Sequence, residues 1–254
     1  MTQAPSTMER WLYRPRTVPR PDARLFCFPF AGGGAAVFRN WPRMLPPGIE
    51  MVAIRPPGRE TRIKEPPYGE IVDLAADVAK VLEPLLDRPF ALFGHSMGAM
   101  VAFELARDLH ARGGGAGHLF VSARRAPTVP EWLPAFSHLP EDEFLAEVRE
   151  RYGDLAGALV EDPEARRVLL PCLRADVAMV EAHEHKPGPV LECPITAFTG
   201  IHDRSVRATD IGAWRTQTSG PFRAVPLPGD HFFLERHGKT VVDIVTDRMQ
   251  GMAR

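Results

Sequence analysis

Six short apolar runs, each followed by a connection that is helical or rich in glycine and proline, constrain this chain more than any other feature of its sequence. They are "RLFCFPF" (Arg24–Phe30), "EMVAIR" (Glu50–Arg55), "FALFG" (Phe90–Gly94), "HLFVSA" (His118–Ala123), "ITAFTG" (Ile195–Gly200) and "FRAVPL" (Phe222–Leu227). Strands with near-continuous apolar character suit a parallel sheet buried on both faces, since an open antiparallel sheet alternates apolar and polar residues. Between them lie helical patterns. In Ile71–Leu86, residues Ile71, Leu74, Ala75, Val78, Val81, Leu82 and Leu85 recur at three- and four-residue spacing. Met97–Leu109 and Lys239–Met249 follow the third and last strands. Strand and helix in alternation predict an α/β fold: one domain over 1–254, with a mostly parallel central sheet and helices on both faces.

One region breaks the rhythm. Between Ala126 and His185 there is no strand-like run; "LPEDEFLAEVRERYG" and "DPEARRVLLPCLRADVAMVEAH" are helical, and Pro171 is expected to end or kink the second. An insertion of this size, 126–185, is expected to form a helical lid over the carboxyl edge of the sheet, where such sheets bind ligands. The competing reading is a helical excursion packed at the side.

Composition narrows the function. A formal net charge of −1 argues against a nucleic-acid binder. No segment has the apolar length of a membrane helix, and "MTQAPSTMERWLYRPR" lacks the apolar core of a secretory signal, so a cytoplasmic protein is expected. Cys27, Cys172 and Cys193 have neither the spacing of a disulfide framework nor that of a metal site. Cys27 and Cys193, in or beside strands, read as buried thiols.

The stretch "FALFGHSMGAM" (Phe90–Met100) places Ser96 between Gly94 and Gly98, after an apolar strand and before an amphipathic helix. Glycines at these two positions relieve collisions at a sharp strand-to-helix turn that exposes a nucleophile. A serine attacks only if a base takes its proton and donors await the oxyanion. The amide of Met97, at the helix N-terminus, is one candidate donor. "FPFAGGGAAVF" (Phe28–Phe38) supplies the second: Ala31 N–H, with Gly32 in reserve. This loop has no Gly-Lys-Ser/Thr or G-x-G-x-x-G pattern, so phosphate binding is the weaker reading.

A nucleophile turn of this type demands an acid and then a histidine downstream. Asp203, just after the strand "ITAFTG", and His231, in "PLPGDHFFLE", both lie at carboxyl ends of strands. His231 is the candidate base and Asp203 its orienting acid. Asp230, Asp176 and His202 are the rivals considered; His183 and His185 lack the further ligands of a metal site. Leu133, Phe136 and Phe144 are candidate acyl contacts from the lid.

The motifs "LFCFPFAGGGAAVFRNW", "IRPPGRETR", "FALFGHSMGAMVAFELA", "FVSARRAP", "FLAEVRERYGD", "TGIHD" and "PGDHFFL" resemble those of the type II thioesterases of polyketide and non-ribosomal peptide synthesis. The likeness runs from about Leu25 to about Leu234. Phe30 and the triple glycine after Ala31 depart from the family's usual loop. The resemblance implies an α/β-hydrolase fold and editing hydrolysis of acyl groups from carrier proteins. The substrate would ride on the phosphopantetheine of an acyl or peptidyl carrier protein, and the enzyme, a monomer, would need no cofactor of its own. Arg55, Arg59, Arg124 and Arg125 are either contacts for an acidic carrier protein or solvated loop residues. A carboxylesterase, an acyltransferase and a non-catalytic binding domain remain as alternatives on the same fold.

Overall fold

The computed structural model describes residues 6–153 and 163–252. Seven strands form one sheet: β1 (Leu12–Tyr13), β2 (Ala23–Phe28), β3 (Ile49–Ile54), β4 (Phe90–His95), β5 (His118–Ser122), β6 (Ile195–Gly200) and β7 (Phe222–Leu227), ordered β1-β3-β2-β4-β5-β6-β7. All neighbours pair in parallel except β1, antiparallel to β3. The six expected strands are all present. The extra one, β1, spans two residues and is too short to show a periodic signal.

The α-helices among the described residues are α1 (Thr7–Trp11), α2 (Ile71–Leu82), α3 (Met97–Ala111), α4 (Glu141–Tyr152), α5 (Pro163–Ala182), α6 (Ala208–Gly212) and α7 (Leu234–Gln250). Two-residue alternation divides each central strand between the two faces. Phe26, Phe28, Leu92, Leu119 and Val121 join one core cluster, with Leu74, Val78 and Leu82 of α2 and Phe103 and Leu105 of α3. Leu25, Cys27, Phe93, Phe120 and Phe198 join the opposite cluster, with Phe38, Trp41 and the α7 residues Val241, Val242 and Val245. Every residue of β2, β3, β4, β5 and β6 is buried, which explains their continuous apolar runs. Cys27 is buried and Cys193 only partly so. No described helix is long and apolar enough to cross a membrane.

Two helices depart from expectation. The pattern over Ile71–Leu86 is helical only to Leu82; Pro84 then tightens the chain into a 3-10 turn, Glu83–Leu85. In the other direction, α5 does not end at Pro171 but continues through it to Ala182. The proline ring faces solvent while Leu170, Cys172, Leu173 and Val177 are buried, so packing outweighs the lost backbone hydrogen bond.

Of the expected 126–185 insertion, residues 154–162 lie outside the described residues. Its described part builds a third apolar cluster from Phe136, Phe144, Leu145, Val148, Leu170, Leu173 and Val177, packed against Ala31. Ala31 follows β2 at its carboxyl end, so this cluster sits on that edge of the sheet. It is also where β2 and β4 are neighbours and the chain reverses direction across the sheet, the place where open α/β sheets hold ligands.

The turn between β4 and α3 allows no side chain at its glycines. A Cβ on Gly94 would lie 2.1 Å from the carbonyl oxygen of Gly98, and one on Gly98 would lie 2.2 Å from that of Phe28. Both obstacles are backbone and cannot move aside cheaply. Gly98→Ala is therefore expected to lower stability by about 3 kcal/mol, read as a shift in the denaturant midpoint.

Candidate active site

Ser96 occupies the apex of this turn with φ 53° and ψ −116°, a left-handed strain unusual for a residue with a side chain. The strain is held in place: Ser96 N–H donates to Ser122 O at 2.7 Å, and Ala99 N–H donates to Ser96 O at 3.0 Å. The side chain is thereby turned away from strand and helix alike. Ser96, Met97, Ala31, Phe30 and His231 all line one cavity of about 450 Å³.

His231 lies in the loop after β7, almost fully buried, and Asp203 in the loop after β6, with no exposed side-chain surface. His231 Nδ1 is 2.8 Å from Asp203 Oδ2. A proton on Nδ1 directed at the carboxylate leaves Nε2 as the acceptor, the tautomer a general base needs. Asp203 Oδ1 accepts two hydrogen bonds from one residue, Ser205 N–H at 2.9 Å and Ser205 Oγ–H at 2.7 Å. Burial works against the Asp203 charge, but the charge and hydrogen bond of His231 and the two Ser205 donors outweigh it, so its pKa is lowered. No hydrogen bond joins Ser96 Oγ to His231 among the described residues; contacts of this kind commonly tighten only with substrate bound.

The sequence offered a local signal for Ser205 that the reading of motifs passed over: an aspartate two residues before a serine is the spacing of an Asx turn. Ser205→Ala removes one donor and is expected to raise the Asp203 pKa. Because that pKa is depressed in the folded state, its stabilising effect is present above the unfolded value and lost as pH falls through the folded one. The loss therefore begins at higher pH in the variant, which melting curves measured across the acid range would show.

The rival residues have other employment. Asp230 is exposed and accepts Phe232 N–H at 2.9 Å, capping its own turn. His202 is exposed. His183 Nε2 is 3.3 Å from Glu104 Oε1. His95, beside Ser96, is buried; its Nδ1 is 2.8 Å from Ser122 Oγ and its ring centroid 5.4 Å from that of His231. Burial first, then the neighbouring His231, holds its pKa down at about 3, so it is neutral at ordinary pH.

Met97 N–H and Ala31 N–H make no hydrogen bond within the described residues, which leaves both available to an oxyanion. Gly32 N–H, the reserve candidate, donates to Asp176 Oδ2 at 2.7 Å and is occupied. Asp176, from α5, also holds Arg59, with contacts of 2.6 and 2.8 Å, and Arg59 in turn reaches Gly33 O at 3.0 Å. This buried pair ties the inserted helix to the glycine loop. Phe30 sets its ring edge-on against His95 and Phe232, at centroid distances of 5.8 and 5.0 Å.

Leu133 and Phe136 line the cavity, whereas Phe144 is buried in the apolar cluster behind it. The four loop arginines do not form a free basic surface. Arg59 is buried, Arg55 pairs with Glu60, Arg125 pairs with Glu131, and Arg124 lines the cavity.

A strained serine, a histidine oriented by a carboxylate and two free amides around one cavity can perform acyl transfer through a covalent intermediate. A thioesterase-domain family model matches residues 23–249. Gramicidin S biosynthesis protein GrsT of Aneurinibacillus migulanus is 37% identical over 246 residues, 96% of each chain. The type II thioesterase BorB from the borrelidin biosynthetic cluster superposes with a TM-score of 0.85 at 34% identity, covering 97% of this chain and 98% of its own. RedJ, a thioesterase from the prodiginine pathway in Streptomyces coelicolor, gives a TM-score of 0.83 at 36% identity, covering 90% and 86%. Fold, site and a family match across most of its length agree: the chain belongs to the thioesterase family.

Proposed function

We propose that this thioesterase hydrolyses acyl groups from the phosphopantetheine thiol of acyl or peptidyl carrier proteins, as an editing enzyme of polyketide or non-ribosomal peptide synthesis. The observation that carries the reading is the convergence of Ser96 with the His231–Asp203 pair on one cavity at the carboxyl edge of the sheet. Ser96 Oγ attacks the thioester carbonyl as His231 Nε2 takes its proton. The amides of Met97 and Ala31 hold the oxyanion, and the carbon–sulfur bond breaks with the proton returned to the thiol. Water, activated by the same histidine, then cleaves the acyl-serine ester. A thiolate leaves more readily than an amine, so little acid assistance is required. Nucleophile, base and oxyanion donors all come from the chain, and the chemistry calls on no cofactor.

The insertion acts as the lid. Leu133 and Phe136 give the acyl chain apolar walls, and movement of the lid admits the pantetheine arm. The neighbours from borrelidin and prodiginine biosynthesis support the carrier-protein setting. Intact-mass analysis of acyl-loaded carrier protein beside the matching free ester tests the reading. Return of the holo carrier, faster than ester hydrolysis, is the expected result. Hydrolysis of the ester with the carrier thioester left intact would sink the carrier-protein assignment.

A further inference from the structure

The motif "RRAP" puts two arginines side by side after β5, and the structure treats them oppositely. Arg125 is satisfied: its Nε donates to Val129 O at 3.1 Å, and it pairs with Glu131. Arg151, the other arginine on the cavity wall, pairs with Glu147 and donates to Pro134 O at 2.8 Å. Arg124 lines the same cavity, yet its guanidinium makes no ion pair or hydrogen bond among the described residues. Its backbone is fixed, since the Arg124 carbonyl accepts Trp214 Nε1–H at 2.8 Å. Burial and the adjacent Arg125 lower its pKa to about 10, which still leaves it charged at neutral pH. Arg124 is half-buried on a wall that is more apolar than polar, where a cation without a partner is disfavoured and an anionic ligand would supply one.

Placement says which part of the substrate carries the anion. Arg124 is two residues beyond Ser122, whose carbonyl receives the Ser96 N–H. Tyr152 lines the same cavity and has no hydrogen-bond partner for its hydroxyl among the described residues. The Tyr152 ring lies 4.7 Å from that of His231. Arg124 thus enters the cavity wall from the segment that anchors Ser96, at the same end as Tyr152 and His231. The phosphate of a pantetheine arm lies many bonds from the thioester sulfur, whereas an acyl carboxylate lies only a few bonds from the carbonyl.

We infer that Arg124, assisted by the Tyr152 hydroxyl, is an anion subsite of the acyl cavity, selecting thioesters whose acyl group ends in a carboxylate. The inference rests on the proposed thioesterase function of the site. The carboxylate takes no part in bond changes: Ser96 forms the acyl ester as the carbon–sulfur bond breaks and the carrier thiol leaves, and water then cleaves that ester to release a dicarboxylic acid and regenerate Ser96.

The test compares a succinyl thioester with its carboxamide isostere, which has the same shape without the charge. Both are presented on a phosphopantetheine-bearing carrier protein and on N-acetylcysteamine, which has no phosphate. The readout is the ratio of kcat/KM for the two acyl groups, in which any general loss cancels. The native protein is expected to favour the carboxylate on both thiols. Arg124→Gln is expected to lower that ratio by about tenfold to a hundredfold, and Arg124→Lys by less. A ratio that Arg124→Gln leaves unchanged overturns the subsite. A loss confined to the phosphate-bearing thiol, and equal for both acyl groups, assigns Arg124 to the phosphate and overturns the acyl reading. If the native protein cleaves no thioester, the proposed function fails separately. Calorimetric binding of succinate against succinamate, with and without Arg124→Gln, then decides the subsite: charge-selective binding that needs Arg124 supports it, and equal binding overturns it. Should Arg124→Gln fail to fold, the Lys variant carries the same comparison.

Discussion

Ser96→Ala is expected to lower kcat/KM for acyl-carrier thioesters by about 10⁴-fold or more, with the cavity and its binding of substrate retained. The size of the effect follows from the role proposed for the residue. Without Oγ no acyl-enzyme forms, and the oriented His231 has no proton to accept; the free amides of Met97 and Ala31 can assist only direct attack by water. His231→Ala should cost nearly as much, and the double variant hardly more than either alone, because the two side chains act as one unit. The backbone of Ser96 supplies a second signature. At φ 53° a residue with a Cβ is strained, so Ser96→Gly is expected to be inactive yet more stable than the native protein by about 1 kcal/mol. Activity and stability would then move in opposite directions at one position. A turn of purely structural purpose would not show that pattern.

Asp176→Ala is expected to produce the largest loss of stability of any single change near the site, about 3–5 kcal/mol. Asp176 is 1% exposed and Arg59 3%, so removing the carboxylate strands a buried guanidinium. It also deprives Gly32 N–H of its acceptor. Unfolding by urea should show a fall in the midpoint with little change in slope. The double variant Asp176→Ala, Arg59→Met is expected to be more stable than Asp176→Ala alone, because the stranded charge goes with the arginine. If the two changes simply add, the buried pair is not what ties the inserted helix to the glycine loop.

The residues that were legible in advance share a property: their signal is local. β2 through β6 announce themselves because burial on both faces leaves no polar alternation, β7 by its short apolar run alone, and the strand ends move by a residue or two at most. Ser96 was legible because a turn this tight needs glycine at both flanks, at 94 and 98. Asp203 and His231 followed from their places at strand ends. What escaped reading depends on neighbours far away in sequence. Arg59 and Asp176 are separated by 117 positions, and nothing local says that they meet. Pro171 signals a break, but the apolar side of α5, buried against the glycine loop and its neighbours, holds the helix together. Arg124 and Arg125 are indistinguishable as a dipeptide; only the position of Glu131 separates a satisfied charge from an unsatisfied one.

The central claim is that Ser96 is the nucleophile of a carrier-protein thioesterase. Its most direct test is to modify the protein with an alkyl fluorophosphonate, map the adduct by peptide mass, and follow carrier-thioester hydrolysis in the same sample. The account predicts a single adduct on the peptide containing Ser96, with hydrolysis lost in proportion to its occupancy. Hydrolysis that survives full modification of Ser96, or inactivation by an adduct elsewhere, would contradict it.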